Sequence, residues 1–579
     1  MEEMQPGPGG TAGGRPAAPA RPTSPAGRRR ATRVASAAGA VALLVGASAC
    51  TAPSDGGSGD AAEAADAATS VVIGTAAEPE TLNPLLGFGK DGSAKIFEGL
   101  LTTDQDLTLV PALARELPEI SSDGLTYTFT LRDGVTFSDG EPLTAADVAF
   151  TYRAILDERV ANASRSELDA VRAVETPDDS TVVFHLKYPY APFAARTVLP
   201  IVPEHAFGGT ADGQLDDAEA AAVASGSFDS APVGTGPYLL ESWRKGDQLT
   251  LTANPDYWGD GPAVTHVTLA FIPDDNTRAT RLAAGELDAA VLPPQLAATF
   301  DEGQPQGEGK RVIAAESADY RGVMLPMDNP VTGDVDIRRA LDRGIDRQAM
   351  VADVLDGRGE AGLSAIAPAS QYYEPAAETA VDRGPEAAAA LLDEAGWRLG
   401  ADGIRAKDGQ RAAFTLLYPS GDTLRQDLAL AYAADARELG VEVTVEGLTW
   451  EAIDGRINRD AVLMGGGSAL DPDFVTYPAL HSSHAGDGYN NPGMYRNDEV
   501  DRLLDEARRS TDPAVRAEAY SALQQELVRE PYWNVLVFLD HVYVVADRWD
   551  NVTTQLESHD HGLLNGPWWN IEDWTPAAS

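Results

Sequence analysis

Cysteine is nearly missing from this chain: Cys50 is the only one in 579 residues. No intrachain disulfide can form, so the fold must hold by packing alone. Basic residues are scarce as well. Lys plus Arg number 44 against 89 Asp plus Glu, a net charge of −45, and that excludes nucleic acid as partner, since a phosphate backbone is bound by basic surface. The acidic excess reads as a solvated surface. Catalytic signatures are lacking too. Gly465-Gly466-Gly467-Ser468 has no following lysine to cradle phosphate, and no G-x-S-x-G elbow occurs. Carboxylate pairs are so common in a chain this acidic that they carry no signal. Neither an enzyme nor a cofactor is therefore expected. Long apolar runs are absent: the best, residues 34–48, is too short to span a bilayer comfortably.

What is present starts with a charge asymmetry. Residues 1–49 hold six arginines against two glutamates, a net of +4, which leaves −49 for the remainder. A basic head, an apolar run and the small residues Ala47-Ser48-Ala49 before Cys50 have the layout of a secretory leader. The lone cysteine there resembles a bacterial lipobox, although Ala47 stands where leucine is usual. The reading is a leader over 1–49, a lipidated Cys50, and a tether to residue 70 whose composition cannot build a core. Export by the general or the twin-arginine route is left open.

Beyond residue 70, strand and helix patterns alternate, which predicts an α/β class. Strands are expected at 70–74, 181–186, 248–253, 264–272, 414–418 and 441–448, and helices at 276–284, 335–345, 386–395, 423–439 and 498–509. The succession 414–418, 423–439, 441–448 reads as a strand–helix–strand unit of an open sheet. In Gly124–Phe150, Tyr127, Phe129 and Leu131 alternate with threonines as in a half-buried strand. Asp133-Gly134 then suggests a hairpin turn back into 135–137. Thr144 with Asp147 suggests a capping box for a helix from Ala145.

The residue order of that segment resembles the signature of the family 5 solute-binding proteins, which serve ATP-driven importers of peptides and nickel. So do further landmarks in the right order: Glu78 to Leu85, Ile96 to Leu101, Val233 to Tyr238, Asn254 to Gly259, Leu282 to Asp288, Asp336 to Arg347, Leu391 to Trp397, and Tyr489-Asn490-Asn491. The resemblance covers roughly 71–574. It implies a two-lobe periplasmic-binding-protein-like fold of type II, in its large cluster C form, with an inserted subdomain. Lobe I is placed at about 70–95, 232–320 and 540–574, the insertion at 96–231, and lobe II at 321–539. A hinged pair of lobes would close over an oligopeptide-like solute, and a membrane permease would recognise the closed form. The chain is expected to act as a monomer on the outer face of the membrane. Nickel chelate, oligosaccharide or glycolipid binding, and a non-transporting scaffold, remain alternatives.

Candidate ligand contacts follow. Phe88 and Lys90 lie after the opening motif, where relatives place first-lobe contacts. Tyr418 and Trp450 lie near strand ends. Gly466 and Gly467 permit close backbone approach, and Ser468, Asp471 and Asp473 follow them. In peptide-binding relatives an Asp three residues before the acidic-Pro step pairs with the ligand's amine. Ser468 occupies that position here, so Asp471 or Asp473 would have to replace it. His481 and His484, spaced to share one face of a helical turn, are the alternative metal ligands.

Overall fold

The computed structural model describes residues 69–578, apart from 90, 91, 161, 209–214 and 560–564. Cys50, its leader and the tether as far as residue 68 therefore lie outside the described residues, as does Lys90, while Ser70, the last residue assigned to the tether, opens the first strand.

Two sheets organise the molecule. The first has seven strands, in the order Lys310–Ala315, His541–Ala546, Ala289–Val291, Ser70–Thr75, His266–Phe271, Gln248–Ala253, Tyr238–Arg244. Ser70–Thr75 runs parallel to both of its neighbours, and the outer pairs are antiparallel. The second has six, in the order Gly359–Ala361, Trp533–Leu539, Tyr320–Met324, Ala461–Gly466, Ala413–Pro419, Glu442–Leu448. The chain passes from the first sheet to the second through residues 316–319 and returns through Asp540 alone. Short crossings of this kind are what a hinge between lobes requires. The fold is the mixed α/β, two-lobe one that the sequence implied.

The strand–helix–strand unit forms as expected, with Ala413–Pro419 and Glu442–Leu448 parallel. Its helix, Thr423–Glu438, starts where the Asp422 side chain accepts the Arg425 N–H, satisfying one of the four orphan donors of a helix start. It buries Leu428, Ala429, Tyr432 and Ala436, positions one turn apart on one face. Burial contributes roughly 1.5–3 kcal/mol for each large side chain. The Tyr432 hydroxyl, carried inward on that face, donates to Asn534 at 2.8 Å.

One local expectation fails. Thr126–Thr130 does not fold back on 135–137; it pairs with Glu119–Ile120 on one side and Thr181–Leu186 on the other, within a four-stranded sheet completed by Val171–Asp178. The reason is packing. Val182, Phe184 and Leu186 alternate inward like Tyr127 and Phe129, and Phe184 meets Phe129 and Tyr152 edge-on at 5.7 and 4.7 Å. The segment 135–137 has only an isolated bridge, from Thr136 to Pro142. The helix after it does begin at Ala145, with the Asp147 carboxylate accepting the Thr144 N–H at 2.9 Å. The core of this small sheet is continuous with that of the seven-stranded sheet.

Candidate functional site

A cavity of about 1000 Å³ lies between the two large sheets, at the upper end of the range for small-molecule sites. Its walls are loops that leave the carboxyl ends of strands, where open sheets present ligand sites. After Ser70–Thr75 come Ala76–Thr81, after Ala289–Val291 come Leu292–Gln295, and after Ala413–Pro419 come Gly421 and Asp422 with Thr423, Leu424 and Asp427 of the helix that follows. The two crossings, at Asp319 and at Leu539–His541, form the floor. At one edge the walls already touch: the Gln295 side chain donates to the Val354 carbonyl at 2.8 Å, and Arg358 donates to both oxygens of Asp301 at 3.0 Å.

A buried polar network fills the floor. The fully buried Asp319 carboxylate bonds His541 Nε2 at 3.1 Å, His559 Nδ1 at 2.7 Å, and Arg321. His541 Nδ1 bonds Glu557 at 2.7 Å, and the Tyr543 hydroxyl donates to the same carboxylate oxygen at 2.7 Å. Burial alone would raise the Asp319 carboxyl, yet the Arg321 charge and the two imidazoles hold it well below the usual carboxylate range. Burial likewise opposes a charged His541, but its bonds to Asp319 and Glu557 push it up to about 9. Glu557 lies beside the crossing, where residue 557 bridges to Ser317. The network thus ties both crossings to the C-terminal segment.

Of the candidates from sequence, Phe88 does line the cavity, with its ring edge-on to Phe97 at 6.5 Å. Tyr418 does not; it is half-buried, and its ring lies under the backbone of Gly447 on the neighbouring strand. Trp450 is 42% exposed and packs edge-on against Tyr489, away from the cavity. Gly466 pairs with Tyr320 across the sheet. Gly467 has φ +142°, and a Cβ there would meet the Ala318 carbonyl at 1.8 Å. The close approach expected of these glycines is therefore made, but to the crossing segment. Ser468 accepts the Asp471 N–H at 3.4 Å.

Asp471 and Asp473 are both held by arginines. Both are buried, and a buried carboxylate needs a partner. Asp471 takes both oxygens to Arg516 Nη2 at 2.8 Å, and Asp473 takes Arg508 through Nε and Nη2 at 2.8 Å each. Neither lines the cavity. The histidines are engaged elsewhere too. His481 stacks on Tyr477 at 4.4 Å and bonds Ser483 at 2.7 Å, while His484 bonds Asp487 at 3.1 Å. Among the described residues no three His, Cys, Asp or Glu side chains are grouped as metal ligands.

The floor residues Asp319, Arg321 and His541 were missed by sequence reasoning. A signal existed: Asp319-Tyr320-Arg321 opens a run of apolar residues, and charges inside a buried strand point to paired groups. Arg321 has its partner two positions away in Asp319, but the imidazoles that join Asp319, 222 and 240 positions on, could not be read from spacing.

Comparison with known proteins fits this geometry. Residues 108–487 match the model of the bacterial extracellular solute-binding proteins, family 5 middle. Protein XP55 of Streptomyces lividans is 57% identical over 488 residues, 84% of this chain and 87% of that one. Among solved structures, NikZ from Campylobacter jejuni in complex with Ni(L-His) aligns with a TM-score of 0.76 at 27% identity, over 88% of this chain and 99% of that one. The oligopeptide-binding protein AppA from Bacillus subtilis, in complex with a nonapeptide, aligns at 0.71 and 26% identity with the same coverage.

Proposed function

We infer, from the premise that this chain belongs to the family 5 bacterial extracellular solute-binding proteins of ABC transporters, that it captures an oligopeptide-like solute outside the cell for import. The observation that carries this is the cavity itself. It lies between two lobes joined by short crossings, walled by loops at strand ends, with backbone-rich stretches such as Ala76–Pro79 and Leu292–Pro294 facing it. Extended peptides are held largely through main-chain hydrogen bonds, which such loops offer without demanding a particular side chain. Closure of the lobes around the solute produces the form that the permease recognises. The likeness to AppA supports a peptide, and the likeness to NikZ keeps a metal chelate as the competing solute.

In the same reading Cys50 carries the lipid that holds the mature chain to the outer face of the membrane. Two or more acyl chains suffice for stable attachment, and no helix among the described residues is long and apolar enough to cross a membrane.

The test is to incubate purified protein with a tryptic casein digest and identify what it retains by native mass spectrometry, with small-angle scattering before and after. Retained peptides with a smaller radius of gyration are expected. Retention of nickel–histidine but no peptide would transfer the function to the chelate. Retention of neither would favour a scaffold.

A further inference from the structure

A second hollow, of about 520 Å³, shares no residue with the cavity between the sheets. Three helices frame it: Val335–Gly344, Pro385–Glu394 and the end of Pro513–Arg529. Gly344 leaves the room that their close approach needs, since a Cβ there would lie 2.6 Å from Leu439 Cδ1 and 2.9 Å from the Ala388 Cβ. The Gly384 N–H, just before the second helix, donates to the Arg343 carbonyl at 2.8 Å. Arg339 ties in the third helix, its Nε–H donating to the Arg529 carbonyl at 2.6 Å.

The chemistry of this hollow runs against that of the chain. In a protein of net charge −45, Arg339, Arg343 and Arg529 line it against Asp336 and Glu394, and Leu391 and Val528 give it an apolar wall. Two of the arginines are engaged, Arg339 with Asp336 at 3.2 Å and Arg529 with Glu526 at 2.5 Å. Arg343 is not. Its Nε–H is buried and donates to nothing among the described residues, and its guanidinium forms no ion pair with any of them. The neighbouring carboxylate, Asp342, is already taken by Arg347 and Arg383 at 2.7 and 3.0 Å. Burial pushes the Arg343 pKa down, and the charges of Arg339 and Arg383 add to it while Asp342 and Asp382 oppose. A buried donor without an acceptor is costly, and each such group requires an explanation.

We propose that this hollow is a second binding site, for a small carboxylate with an apolar body, and that Arg343 is the group that pairs with it. The planar guanidinium fork matches a carboxylate, and the bonds it makes there are charge-assisted. The apolar wall rewards an alkyl chain over a bare ion. One negative charge suits the place better than two, because three arginines against two carboxylates leave a single positive excess. The volume falls within the range of small-molecule sites. The site goes beyond the solute-binding reading and does not depend on it, since the two cavities have no lining residue in common.

The experiment photolabels the whole protein with a diazirine analogue of pentanoate and maps the label by peptide mass spectrometry. Saturable label on residues 381–395 or 528–529 is expected, competed away by isovalerate and not by isovaleramide. Label confined to the loops of the larger cavity, or label that never saturates, would overturn the site. Equal competition by isovaleramide would overturn the charge pairing, and stronger competition by inorganic phosphate than by isovalerate would overturn the apolar carboxylate as the ligand. These arms decide the site even where a variant does not fold. Arg343→Gln should bind isovalerate at least about tenfold more weakly, the worth of one charge-assisted hydrogen bond, and should retain the same peptides from the casein digest as the unaltered protein. Unchanged isovalerate binding in the variant would overturn the role of Arg343, and a parallel loss of peptide retention would overturn the independence of the two sites.

Discussion

The Tyr190 hydroxyl donates to Asp473 Oδ2 at 3.1 Å, and that carboxylate is the one that Arg508 grips through two nitrogens. Arg508 in turn lies 3.2 Å above the Tyr477 ring, and Arg196, six residues beyond Tyr190, lies 3.3 Å above Phe474. An acidic residue that sequence reasoning set aside for the ligand is thus the joint between the segment following the four-stranded sheet and the helix Asp473–Leu480.

Breaking that joint should have unequal consequences. Asp473→Asn leaves a buried arginine without its counter-charge, and a loss of about 3–5 kcal/mol is expected. Tyr190→Phe removes one neutral donor from a carboxylate that keeps Arg508, and about 1 kcal/mol is expected. Urea unfolding of the two variants measures the difference. Equal losses would show that Arg508 is not the main partner.

The floor network should make stability depend on pH. His541 is held at about 9 in the folded chain, against about 6.5 when unfolded. Its contribution is therefore complete below pH 6.5 and is lost as pH rises to 9, by up to about 3 kcal/mol. Melting temperature followed between pH 6 and 9.5 should fall, and His541→Gln should flatten that fall. A steeper fall in the variant would contradict the assignment.

Anchoring is tested at Cys50. Changing it to Ser should release the chain into the medium or leave it unprocessed, as read by fractionation and immunoblotting. Membrane association that does not change in the variant would rule out the lipid.

Recognition of a free amine is tested at Ser468. Asp471 and Asp473 are bound to Arg516 and Arg508, so an N-acetylated peptide should bind about as well as its free-amine twin. Ser468→Asp should then favour the free amine by roughly ten- to hundred-fold, the worth of one charge-assisted hydrogen bond. Calorimetry on a retained peptide and its acetylated form decides the matter.

The sequence by itself determined the elements whose signals are local. The helix Thr423–Glu438 announces its start with Asp422 and its end with Gly440, and the strands on either side of it carry their own apolar patterns. The ordered motifs determined the two-lobe family fold, because they recur at set distances along the chain. Only the tertiary structure decided which strand Thr126–Thr130 pairs with, since a local turn and a distant apolar strand compete and the greater burial wins. It alone decided the fates of the charged residues. Asp473 could be assigned to a ligand or to Arg508, and His541 could not be assigned at all, until the fold brought their partners Arg508 and Asp319 to 2.8 and 3.1 Å. A buried charge takes its meaning from whichever group packing places beside it, and that neighbour is rarely near in sequence.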